Sequence, residues 1–167
     1  MIKILIKRLS KEVSLPKYET SGSSGMDLSA NIDDSINIEP GKTAVIPTGL
    51  ALSIPEGFEV QIRPRSGLAA RQSISVLNTP GTIDSDYRGE IKVILINLGQ
   101  DSFKVEKGLR IAQMVICPVV QAQLKEVNDL SDTVRGEVDL VLLDQIIHEM
   151  KINLSQFKRF ENKYIKK

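Results

Sequence analysis

An all-β sandwich or barrel is the fold class this sequence predicts, and three observations carry the prediction. Turn residues recur every ~8–12 residues through residues 2–120, the spacing of short strands folded back on one another. The segments between turns alternate apolar and polar residues or are rich in β-branched side chains, with few helical periods. Hydrophobic residues are 41% of the 167-residue chain but aromatics only 4%, with no Trp, so one aliphatic core is expected.

Taken in order, Ile2, Ile4 and Ile6 share one face of an N-terminal strand. The Ser/Gly loop Thr20–Gly25 precedes a strand at Met26–Ala30. Ile36 and Ile38 alternate before a Pro40-Gly41 turn. Thr43–Ile46 and Leu50–Ile54 read as two strands, Pro55-Glu-Gly57 as a turn, and Phe58–Arg63 as a further alternating strand. One short helix is expected at Gly67–Arg71 with Ser66 as its N-cap. Its free N–H groups beside Arg63, Arg65 and Arg71 either form an anion site or simply cap a surface helix with solvated arginines. From Leu140 the pattern changes. Leu140, Leu143, Ile147, Met150, Leu154 and Phe157 make a stripe at helical spacing, predicting a C-terminal helix within a basic tail.

Net charge is +1, which gives no reason to expect a nucleic-acid or membrane partner. No run reaches the ~20 apolar residues of a membrane span. The N-terminus alternates like a strand and carries no signal-peptide cleavage site. The single cysteine, Cys117, cannot form an internal disulfide and reads as a buried, inert thiol, because the only histidine, His148, lies in a distant segment. The expected setting is the cytoplasm.

The densest chemistry lies in Asn78-Thr-Pro-Gly-Thr-Ile-Asp-Ser-Asp-Tyr-Arg-Gly-Glu90. It reads as a hairpin-like loop in which Pro80 presets φ and Gly81 accepts positive φ, leading into the apolar run Ile91–Ile96. Three further segments join it: Gly25-Met-Asp-Leu-Ser-Ala30, Arg65-Ser-Gly-Leu-Ala69 and Gly108-Leu-Arg-Ile-Ala-Gln113. Each alone is a weak signal. In this order and spacing, over roughly residues 2–136, they resemble the motifs of the trimeric dUTP diphosphatase (dUTPase) family.

That resemblance implies a jelly-roll β-barrel over residues 1–136, a homotrimer with active sites between subunits, and hydrolysis of dUTP to dUMP and pyrophosphate with Mg²⁺ on the triphosphate. It also implies the cellular role, supplying dUMP for thymidylate synthesis and limiting uracil in DNA. Asp84 matches the catalytic aspartate that activates water. Asn78 matches the uracil reader, with backbone groups of Thr82 and Ile83 completing that edge. Tyr87 matches the ring beneath the sugar that excludes a ribose 2′-OH. Arg65, Ser66 and Gly67 match the phosphate motif, and Gln113 a phosphate or metal-water ligand. Asp27 matches an aspartate that positions phosphate groups or metal-bound waters, with no direct protein ligand to the metal expected. Lys92 falls at a substrate-contact position, where a solvated strand lysine is the plain alternative. Asp86 and Arg88 are expected to support the loop.

The resemblance fails in the tail, residues 137–167. The family's fifth motif runs Arg-Gly-x-Gly-Gly-Phe-Gly-Ser-Thr-Gly. Here Arg135-Gly136-Glu137 begins it, and Val138-Asp-Leu-Val-Leu-Leu-Asp144 follows, without Gly, aromatic or hydroxyl. Deleting one G from GGT GGA TTT GGT TCT ACT GGA leaves GTG GAT TTG GTT CTA CTG GA, which encodes Val-Asp-Leu-Val-Leu-Leu and then Asp or Glu. A one-nucleotide frameshift after Glu137 is therefore expected, making the helical stripe fortuitous; the alternative is a tail with its own role. Either way the lid is lost and weakened dUTP hydrolysis is expected. Two other readings stand beside the enzyme: a non-catalytic deoxyuridine-nucleotide-binding trimer whose tail docks a partner, and a relative of dCTP deaminase, against which the Asn78 and Tyr87 pattern speaks.

Overall fold

The computed structural model describes residues 2–133 together with Gly136 and Lys151. The chain divides into two compact units, Met1–Ala122 and Gln123–Lys167. All strands and the helix described below lie in the first. In the second, residues 123–133 form no strand or helix, and the C-terminal helix expected from Leu140 lies outside the described residues.

In the first unit, ten strands and one helix follow in chain order: β1 (Leu5–Arg8), β2 (Gly25–Ser29), β3 (Ile36–Ile38), β4 (Thr43–Ser53), β5 (Phe58–Arg63), α1 (Ser66–Gln72), β6 (Ile74–Val76), β7 (Gly81–Ile83), β8 (Glu90–Asn97), β9 (Phe103–Val105) and β10 (Arg110–Pro118). Two four-stranded antiparallel sheets, ordered β1-β4-β8-β6 and β2-β10-β5-β7, are joined by the small pair β3-β9. This is the all-β class expected, with the two-sheet character of a jelly roll and no ladder closing it into one ring. Alternation sets the inner faces: on β8, Ile91, Val93 and Leu95 are fully buried while Lys92 is exposed. Leu28, Ile46, Val60, Ile74 and Ile111 complete an aliphatic core in which Phe103 is the one buried aromatic ring among the described residues.

Several local expectations are corrected. The first strand starts at Leu5, and Ile2 is exposed, because only residues 5–8 find partners on β4. The two strands expected in residues 43–54 are one, β4, whose register shifts between Pro47 and Ala51. Pro47 cannot donate to a ladder, and an irregularity is where a central strand tolerates it. Gly49, at φ +68°, makes the bend; its N–H donates to Glu90 Oε1 at 2.8 Å. The helix begins one residue earlier than expected. Arg65, in extended conformation, is its N-cap and makes no side-chain cap bond, so Ser66 is the first helical residue instead.

The largest correction concerns residues 78–90. They are not a hairpin. β7 pairs with β5 in one sheet, whereas β8 pairs with β4 and β6 in the other, so the loop after Ile83 crosses between sheets. Nor does Gly81 adopt positive φ. It is the first residue of β7, opposite Ile62, and the Thr79–Pro80 bond before it is cis.

Candidate active site

The motif residues fall into two groups. The first gathers where β2, β10 and the β5–α1 connection meet. Asp27 and Gln113 are register partners on β2 and β10, and Gln113 also faces Arg63 on β5. Asp27 holds two guanidinium groups at once: Arg65 Nε donates to Oδ1 at 2.8 Å and Arg110 Nη1 to Oδ2 at 3.1 Å. Arg65 Nη1 also donates to Arg110 O at 3.3 Å, and Gln113 Nε2 to Pro64 O at 3.0 Å. The side chains of Arg65 and Asp27 are each 23% exposed, so water screens this pair only in part. Arg110 was missed as a site residue. It stands within the segment Gly108–Gln113, and what gives it a role is the β2–β10 register, which no local pattern reveals.

This clamp fixes the start of α1. The N–H groups of Leu68 and Ala69 donate to Arg65 O. Those of Ser66 and Gly67, earlier in the first turn, have no backbone acceptor among the described residues and point out of the helix start, as such groups must. Two positive arginines, one carboxylate and free N–H groups leave a net positive, donor-rich surface suited to an anion.

The second group runs along β7 and the loop behind it. β7 is an edge strand, so half its backbone polar groups point away from β5 and are free to pair. Asn78 folds back over the start of this edge. A Cβ built on Gly81 would lie 3.2 Å from Asn78 Nδ2 and 3.5 Å from Ile62 Cβ, so a side chain at 81 would crowd the Asn78 amide. Thr82 is exposed and Ile83 half-buried. Asp84 is exposed in the lining of a groove of about 780 Å³ that also takes in Phe58, Glu59, Asp86 and Val119. The loop is braced by Arg88, whose Nη1 donates to Ser85 O at 2.6 Å and Tyr87 O at 2.9 Å, and by Tyr87 N–H to Asp84 O at 3.2 Å. The supporting role expected of Arg88 is thus visible, whereas Asp86 lines the groove. Tyr87 is 45% exposed, and its hydroxyl donates to Glu90 O at 3.1 Å. Lys92 belongs to neither group: it stands on the other sheet, exposed, opposite Pro47.

One chain does not bring Asp84 to Arg65. Ile83 pairs with Val60, and Arg65 lies beyond the opposite end of β5. At ~3.3 Å per residue the two sit roughly 20 Å apart. Between them the outer face of β5 carries a polar chain, Glu59–Gln61–Arg63, with Gln61 Nε2 donating to Glu59 Oε1 at 2.6 Å and Arg63 Nη2 to Gln61 Oε1 at 2.6 Å. Arg63 Nη2 also approaches Cys117 Sγ at 3.6 Å, so the thiol is half-buried against a cation, where a fully buried apolar setting was expected.

Among the described residues no three His, Cys, Asp or Glu side chains converge in a metal-binding cluster, and no helix is long and apolar enough to cross a membrane.

Comparisons with known proteins follow the same residues. The family model described as dUTPase matches residues 11–140, a span that ends just inside the departed run beginning at Val138. The deoxyuridine 5'-triphosphate nucleotidohydrolase of Brucella melitensis is 58% identical over 129 residues, covering 76% of this chain and 82% of the relative. That of Beijerinckia indica is 54% identical over 139 residues, 81% of this chain and 87% of the relative. Among solved structures, the dUTPase of Staphylococcus bacteriophage 80alpha with dUPNHPP superposes with a TM-score of 0.75 at 28% identity, covering 83% of this chain and 96% of that one.

Proposed function

This chain belongs to the dUTPase family, and from that premise we propose how its residues divide the hydrolysis of dUTP to dUMP and pyrophosphate. The observation that carries the reading is Asp84, exposed at the end of an edge strand whose other end is crossed by Asn78. The Asn78 amide offers a donor and an acceptor to the uracil edge. The free backbone groups of Thr82 and Ile83 complete that recognition, and Tyr87 packs beneath the deoxyribose. Asp84 accepts a proton from a water whose oxygen attacks the α-phosphorus, the bond to the leaving pyrophosphate breaking as the new one forms. General-base help of this kind is worth ~10²–10⁴-fold.

The phosphates rest on Arg65, on the Ser66 and Gly67 N–H groups and on the Gln113 amide, with Asp27 holding Arg65 in place. Because Arg65 and Asp84 are roughly 20 Å apart within one chain, the working site combines the Asp84 group of one subunit with the Arg65 group of another. A homotrimer supplies that juxtaposition three times over. Mg²⁺ fits this donor set as an ion carried by the substrate. Both Asp27 oxygens are engaged by arginines and no carboxylate cluster among the described residues competes for the metal, so triphosphate oxygens and water would hold it, with Asp27 reaching it at most through water. Bound there, it would neutralise phosphate charge. Nothing in this division of labour involves nucleic acid or a membrane. The compartment we infer is the cytoplasm, supported by the lone cysteine.

Residues 138–167 are read as the product of a one-nucleotide deletion after Glu137. Restoring the base makes a further demand on the gene. The third base of the His148 codon would then precede the GA of the Glu149 codon, so a CAT histidine codon gives TGA, a stop four residues after the glycine-rich motif. The lost lid leaves an enzyme that binds uracil nucleotides and turns over slowly, because closure excludes water and completes such sites. Pyrophosphate release from dUTP, dCTP and dTTP, measured on this chain and on one with the restored tail, tests both parts. Turnover with dCTP in preference to dUTP would refute the substrate. Equal dUTP turnover by the two chains would refute the crippled tail, as would a restored frame lacking the motif or the stop.

A further inference from the structure

We infer that Gly89 is a specificity-determining position, setting the preference for deoxyribose over ribose through the seat it leaves for Tyr87. The inference rests on the reading of Tyr87 as the ring beneath the sugar, and adds to it what holds that ring still.

Tyr87 is nearly half exposed on a loop that crosses between sheets, a setting in which an aromatic side chain normally samples several rotamers. Here its position is closed on three sides. Its hydroxyl is anchored by Glu90 O at 3.1 Å. Its own N–H is tied back to Asp84 O at 3.2 Å. Its ring lies directly on Gly89: a Cβ at that position would fall 2.6 Å from Cζ and 3.1 Å from Cε2, and closer still to the hydroxyl oxygen. Real Cβ atoms do not make such contacts, so with any side chain at 89 the ring must shift.

A left-handed backbone does not explain this glycine, because Gly89 is not at positive φ. The three atoms nearest to a Cβ there all belong to the Tyr87 side chain. The anchor is itself fixed. Glu90 Oε1 accepts the N–H of Gly49 at 2.8 Å, and Gly49 sits at φ +68° with Val13 and Asn31 side chains packed where its own would be. The tyrosine is thus tied to the bend of β4 in the neighbouring sheet. A ring held this way cannot retreat from a sugar, so an added 2′-OH meets a fixed surface; a ring displaced by a side chain at 89 leaves room for it.

The experiment measures the affinities of the full chain for dUMP and UMP by calorimetry, which needs no turnover, in the wild type and in Gly89→Ala, Tyr87→Phe and Tyr87→Ala. Gly89→Ala is expected to narrow the dUMP-over-UMP preference by about tenfold or more, chiefly through tighter UMP binding. Tyr87→Phe, which removes only the Glu90 anchor, is expected to narrow it by about two- to threefold. A wild-type preference in Gly89→Ala overturns the inference. Should that variant fail to fold, a wild-type preference in Tyr87→Ala, which empties the seat on Gly89, overturns it instead. Tyr87→Ala separates the two levels. If it abolishes the preference while Gly89→Ala does not, only the role of Gly89 fails; if it leaves the preference intact, the assignment of Tyr87 to the sugar fails as well.

Discussion

At the Arg65 end of the β5–β7 ladder the charged side chains are spent on one another, Asp27 bridging two arginines and Gln113 pinning the loop before α1. At the Asp84 end the carboxylate is exposed in the lining of a groove, and its loop is braced by the Arg88 and Tyr87 side chains, which donate to backbone carbonyls. The first end is preorganised for an anion before any ligand arrives. The second is an exposed carboxylate roughly 20 Å away along β5. The difference teaches why the proposed function calls on a second subunit: in the proposed division of labour, folding of one chain leaves the two groups apart and assembly brings them together.

The strongest way to sharpen this contrast is Asp84→Asn. Turnover is expected to fall ~10²–10⁴-fold while dUPNHPP affinity, measured by calorimetry, stays near wild type. A matching loss of affinity would mean that Asp84 holds substrate rather than activating water. Mixing breaks the comparison most directly. Asp84→Asn and Arg65→Gln chains, each nearly inactive, should regain activity when unfolded together and reassembled, because random assembly pairs intact halves at roughly a quarter of sites in a symmetric oligomer. No recovery would place both groups in one chain's site.

A smaller effect is expected from Asp27→Ala, which frees two guanidinium groups without touching the substrate. It should weaken dUPNHPP binding by about 1–3 kcal/mol and leave dUMP affinity unchanged, since the Arg65 end serves the outer phosphates. The smallest belongs to a control that is part of neither group, the exposed pair Glu12–Lys107. Hydrogen bonding to Lys107 holds the Glu12 carboxyl below its usual range, and Glu12 raises Lys107. The pair's contribution is present above the ordinary glutamate pKa of about 4.3 and below the ordinary lysine pKa of about 10.4. It is lost as pH falls through the lowered value of Glu12 or rises through the raised value of Lys107. Lys107→Ala should slightly lower thermal stability inside that window and leave activity unchanged at every pH.

Much of this was legible in residue order. Turn spacing and alternation identify the all-β class and place β2, β3, β5 and β8 closely, because burial of one face imposes a period of two wherever a strand forms. The family was legible too, since the motifs that hold Asp84, Asn78, Tyr87 and Arg65 are written in the chain as identities and spacings. What misled was local turn chemistry. Pro80-Gly81 looks like the tip of a hairpin, yet a side chain at 81 would crowd the Asn78 amide and the strands on either side go to different sheets.

The sequence by itself determined the all-β class, the aliphatic character of the core, and the order and spacing of the motifs shared with the dUTPase family. Only the tertiary structure decided which strand pairs with which. With that came the bridging of Asp27 to Arg110, the separation of Arg65 from Asp84, and the resting of the Tyr87 ring on Gly89. The physical reason is that propensity and periodicity act over a few neighbouring residues. Strand pairing and close side-chain approach join residues far apart in the chain, and are settled by how the two buried faces fit together.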